Sequence, residues 1–149
     1  MDTESLLRSL NDHGVRFVVI GAAAFPVHGY ARATLDIDLF VEATRENAER
    51  THAALTAFGF DTKELSVQDL LDFKILIRQY VVSADVHPYV AGVTFEGVWR
   101  NRIAGRFRET DVFYPSLDDL IAMKEAAGRP KDQEDLRQLR LIRDRKTKG

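Results

Sequence analysis

The apolar residues change period along the chain, and each change marks an element. From Glu4 to His13, Leu6, Leu7 and Leu10 recur at helical spacing behind Thr3, a candidate N-cap, and Gly14 stands where a helix stops. Val15 to Ile20 is a short run rich in branched and aromatic side chains, the pattern of a buried strand, and Gly21 ends it. The alanine-rich segment that follows reads as helical as far as Tyr30, with Pro26 in a first turn or at a kink. In Asp36 to Glu42 (DIDLFVE), Ile37 and Leu39 point to one face and Asp36 and Asp38 to the other, so this second strand starts with an acidic face. Thr44 to Phe58 is a second helix with Ala48, His52, Leu55 and Phe58 on one side, Thr44 as cap and Gly59 as stop.

A further strand is expected from Phe60, then one or two helical turns over Ser66 to Asp72. Phe73 to Tyr80 and Val81 to Tyr89 read as strands joined too briefly for anything but a hairpin or a bulged continuation, and the second carries Asp85 and His87 on one face. Phe95 to Arg102 predicts a short helix and Phe107 to Tyr114 a last strand or hairpin piece. Ser116 caps a helix to about Ala127, Gly128 and Pro130 break it, and Lys131 to Arg143 is a charged terminal helix. This order predicts one domain over residues 1–149, of α/β (α+β) class, with a helical C-terminal element at about 116–145.

Composition narrows the chemistry. Of 149 residues, 45% are hydrophobic, enough for one compact core. The 21 basic and 23 acidic residues leave a net charge of -2, so any polyanion site must be local. Without cysteine there is no disulfide, thiolate nucleophile or thiolate-bound zinc, and four scattered His leave metal chemistry to carboxylates. The first ten residues lack the apolar run of a signal peptide, and the longest apolar stretch, Phe17 to Val27, contains Gly21 and Pro26. A soluble, cytoplasmic protein is expected.

The most informative stretch is Val18 to Val41. Two carboxylates one residue apart on a strand project to the same side ~7 Å apart, which lets them converge on a divalent cation or a close pair. Gly21, at the end of the preceding strand, lets the next backbone amides approach a phosphate closely. Asp85 supplies a third carboxylate from a neighbouring strand, where an unneutralised charge would be costly. His87 shares that face, where it could touch the substrate, although a lone histidine near a strand end is more often structural.

The Gly21-Ala22 turn, His28-Gly29-Tyr30, Arg32-Ala33-Thr34 and Asp36-Ile37-Asp38 resemble the signature of small bacterial nucleotidyltransferases of the DNA polymerase beta-like superfamily, particularly the AbiEii-type and related toxin-like groups. Lys124 and then Arg129-Pro130-Lys131-Asp132 with Asp135 resemble the lysine and K-D-x-x-D elements those groups carry after the catalytic strands. The resemblance implies the minimal nucleotidyltransferase fold, a mixed and mainly antiparallel sheet flanked by helices. It implies transfer of a nucleoside monophosphate from an NTP to a hydroxyl of RNA, protein or a small molecule, with pyrophosphate released, and a setting in a toxin–antitoxin pair.

Carried over by position, Asp36, Asp38 and Asp85 would bind Mg2+, as two ions. Gly21 and Ala22 would contact the nucleotide phosphates, and Arg32, Thr34, Lys124 and Lys131 would complete the nucleotide site. Ala22 departs from the Gly or Ser usual there, removing a hydroxyl but leaving the amide. That departure motivates a competing class, a weakly active or inactive NTP-binding or partner-binding module. Asp132 and Asp135 read as structural, favourable to a helix N-terminus and able to pair with arginines. Arg100, Arg102, Arg106 and Arg108, and Arg137, Arg140, Arg143, Arg145, Lys146 and Lys148, form two basic clusters; the second puts a basic stripe on the last helix.

Overall fold

A computed structural model describes residues 2–79 and 81–148. Tyr80, at the end of the strand expected from Phe73, lies outside the described residues. The first helix, α1 (Thr3–Asp12), starts one residue earlier than the pattern predicts because Asp2, not Thr3, is its cap: the Asp2 carboxylate accepts from the Ser5 amide at 2.8 Å. After β1 (Phe17–Ile20), the alanine-rich segment is two tight 3-10 turns, Gly21–Ala24 and Pro26–His28, rather than one helix. Pro26 brings no amide to continue a helical ladder. β2 (Ile37–Val41) and α2 (Arg45–Phe58) follow, α2 capped by the Thr44 hydroxyl and closed by Gly59.

No strand begins at Phe60, because its amide is spent on the Leu55 carbonyl in the C-terminal turn of α2. α3 (Val67–Asp72) carries a reciprocal Ser66/Asp69 capping box. β3 (Ile75–Gln79) and β4 (Val82–His87) form the expected hairpin. α4 (Phe95–Arg100) leads to a second hairpin, β5 (Ile103–Phe107) and β6 (Thr110–Tyr114), of which only the second strand lies within the predicted segment. α5 (Leu117–Ala127) is capped by Ser116 as expected. The last helix, α6 (Gln133–Lys148), starts after a 3-10 turn, Pro130–Asp132, that takes the residues expected to open it.

Four strands form a sheet in the order β1-β2-β4-β3, parallel between β2 and β4 and antiparallel elsewhere, so the mixed, mainly antiparallel α/β architecture is present. Ile37, Leu39 and Val41 on β2 and Val82, Ala84 and Val86 on β4 are buried and join Leu6, Leu7 and Leu10 of α1 and Ala54, Leu55 and Phe58 of α2 in one core. The buried Asn47 side chain bonds the Arg16 amide and the Arg16 and Glu42 carbonyls, tying α2 to the outer ends of β1 and β2. No helix among the described residues is long and apolar enough to cross a membrane.

Candidate active site

Register brings the acidic residues together. Asp38 lies directly opposite Asp85 across the parallel β2/β4 pair, and Ile20 lies opposite Asp38 across β1/β2, so Gly21 leaves β1 beside the Asp38 carboxylate. Gly21 has φ +68°, and a Cβ built there would stand 2.7 Å from Asp38 Oδ2. Both the left-handed backbone and the close approach exclude a side chain. The turn therefore delivers the backbone of Gly21 and Ala22 to the edge of the carboxylate site.

Asp38, Asp85 and His87 each offer one ligand atom, and the three lie within 4.8 Å of one another. An ion with ~2.1 Å bonds holds cis ligands ~3.0 Å and trans ligands ~4.2 Å apart, so small side-chain adjustments would gather this set around one cation. His87 Nε2 sits 2.9 Å from Asp38 Oδ1. Arg78 Nη2 donates to Asp85 Oδ1 at 2.8 Å, which orients that carboxylate. Asp36 lies just before β2; its carboxylate accepts from Ser83 Oγ and is not one of the three, although it lines the same cleft. The Thr34 hydroxyl donates to the Asp36 backbone carbonyl at 2.9 Å.

The cleft, about 650 Å³, has a cationic wall facing the carboxylates, formed by Arg32, Lys124, Arg129 and Lys131. Two buried acids hold it in place. Lys124 Nζ lies 2.9 Å from Asp132 Oδ1 and 3.4 Å from Asp135 Oδ2, and Arg32 donates to Asp135 while Arg129 donates to Asp132. Lys124 also lies 5.4 Å from the centre of the Phe25 ring. Burial would raise the Asp132 carboxyl, but hydrogen bonds and charge from Arg129 and Lys124 outweigh it and hold the group at about 2. Three cations around two carboxylates leave positive charge facing the cleft, with the exposed Lys131 beside it.

The structural role expected for Asp132 and Asp135, pairing with arginines, is the one they have. Asp132 does contact Arg129, and Lys124 bridges both acids while Arg32 pairs with Asp135. Arg129 as part of the cleft wall was not anticipated, nor were the Arg78 bond to Asp85 and the place of His87 among the carboxylates. The i, i+3 spacing of Arg129 and Asp132 and the strand alternation of Asp85 and His87 were the available signals. On α6, Arg137 pairs with Glu134, Arg140 with Glu125 and Arg143 with Asp118, so the three arginines at helical spacing each have an acidic neighbour.

A glycine turn thus abuts an acidic pair on adjacent strands, across a cleft from a cationic wall. The chain belongs to the family described as nucleotidyltransferase of unknown function (DUF6036), whose model matches residues 2–146. No curated protein matches the chain.

Proposed function

We propose that this protein moves a nucleoside monophosphate from an NTP to a hydroxyl acceptor, in the cytoplasm and through a single nucleotidyltransferase-like domain. The observation that carries the reading is the juxtaposition, in one cleft, of Asp38 and Asp85 on neighbouring parallel strands, the Gly21 turn against Asp38, and the Lys124/Arg32 wall opposite. Asp36, Asp38 and Asp85 would hold divalent cations, Mg2+ in the sequence-based reading, which when bound neutralise phosphate charge and lower the pKa of the attacking hydroxyl. The amides of Gly21 and Ala22 bind phosphate oxygens, for which Ala22 needs no hydroxyl.

Arg32 and Lys124, with Thr34 and Lys131 at the rim, balance the charge on the departing pyrophosphate. The acceptor oxygen forms its bond to the α-phosphorus as the bond from that phosphorus to the oxygen bridging to the β-phosphate breaks. The hydroxyl proton passes to the Asp85 oxygen that Arg78 leaves unbonded. Catalysis here is positioning and electrostatics, which is what fixed strands and buried counter-ions supply.

The resemblance to AbiEii-type motifs favours a toxin-like role with a cognate antitoxin, and leaves an RNA end, a protein or a small molecule as acceptor. The competing module without turnover is separated by calorimetry with ATP, CTP, GTP and UTP run beside a pyrophosphate assay. Heat with pyrophosphate release in the presence of a cell lysate supports the transferase; heat without pyrophosphate supports the binding module.

A further inference from the structure

His87, a lone histidine near the end of β4, puts its ring nitrogen within reach of both the Asp38 and the Asp85 carboxylates. Its Nε2 is 2.9 Å from Asp38 Oδ1, close to the ~3.0 Å between cis ligands of an octahedral ion with ~2.1 Å bonds. The side chain is 20% exposed, faces the cleft, and shares its strand face with Asp85. Arg78 bonds one Asp85 oxygen, Asp38 lies where a Gly21 side chain would have to stand, and one oxygen of each carboxylate lies within 4.8 Å of the histidine nitrogen.

We infer that His87 is a direct ligand of the cation held by Asp38 and Asp85, and that this nitrogen-bearing donor set favours first-row transition ions over magnesium, manganese(II) being the paramagnetic probe of that class. The inference rests on the transferase reading above. Magnesium dehydrates reluctantly and is usually held by one or two carboxylates plus water and substrate oxygens, whereas imidazole adds affinity for first-row transition ions. A third protein donor that is nitrogen gives magnesium little and manganese more.

The test is pulsed electron paramagnetic resonance of the full chain loaded with manganese(II) alone, with titration calorimetry of manganese(II) and of magnesium. The expected spectrum shows coupling of the bound ion to a histidine nitrogen, absent in His87→Gln. The ratio of manganese to magnesium affinity falls about tenfold or more in His87→Gln and in His87→Asp. The wild-type spectrum needs no variant, so a poorly folding substitution does not decide the matter. Bound manganese without nitrogen coupling would overturn the ligand assignment and leave the transferase reading standing. No binding of either ion at millimolar concentration, with or without NTP, would overturn both.

Discussion

Gly21 is the residue on which the site is most exposed to a single change. Gly21→Ala forces a Cβ to within 2.7 Å of Asp38 Oδ2 on a backbone at φ +68°. The left-handed conformation costs about 1 kcal/mol, but the displaced carboxylate should cost at least ~100-fold in transfer rate. A variant whose thermal midpoint falls by a few degrees while its rate collapses is the expected outcome, read by thermal melts beside a transfer assay. Asp132 makes the opposite kind of prediction. With its carboxyl held at about 2 in the folded protein against ~3.9 unfolded, it contributes about 2 kcal/mol at neutral pH. That contribution is complete above pH ~4 and drains away as pH falls toward 2, so Asp132→Asn should destabilise the protein at pH 7 and converge with wild type in acid. Chemical denaturation at several pH values measures it. At this scale the candidate acids were legible because strand alternation fixes which side chains share a face. His87 is legible only in part: alternation puts it on the Asp85 face, but nothing in a single sequence shows that its ring meets the Asp38 carboxylate.

Elements were legible where local chemistry sets them and obscure where partners do. The cap and stop of α2, the Ser116 cap of α5 and the β3–β4 hairpin follow from Thr44, Gly59, Ser116 and the short connection, all local signals. The segment after Gly21 was read as helix because alanine favours helix, but Pro26 and the packing of Phe25 into the core impose two tight turns. His28 shows what holds that segment: its Nε2–H donates to the Pro115 carbonyl at 2.8 Å, linking the turns to the start of α5. Burial lowers the His28 imidazole below its ordinary value, with Lys146 adding to the effect and the Pro115 bond only partly opposing it. The folded state thus prefers the neutral ring, while the unfolded chain titrates near ~6.5. Stability from this group is full above that pH and declines as pH falls below it, and His28→Gln, which keeps a donor to Pro115, should flatten the decline between pH 7 and 5. Thermal midpoints across that range would show it.

Over the whole molecule, the net charge of -2 concealed how the charges are arranged. Arg137, Arg140 and Arg143 of the α6 stripe each pair with an acid of α5 or α6, while a second cationic surface lines the cleft, anchored by Asp132 and Asp135 from the C-terminal element. That arrangement spans more than a hundred residues of sequence and rests on side-chain contacts, which a periodicity reading does not see. It predicts that Lys124→Met lowers kcat/KM for the NTP about tenfold or more, through loss of a charged phosphate contact, while Asp132 still holds Arg129. The most direct test of the central claim is transfer of label from an NTP labelled at its α-phosphorus into the RNA or protein of a whole-cell lysate, comparing wild type with Asp38→Asn and Asp85→Asn. Label incorporated by the wild type and lost from both folded variants is the predicted result; incorporation that persists in either variant would contradict the assignment.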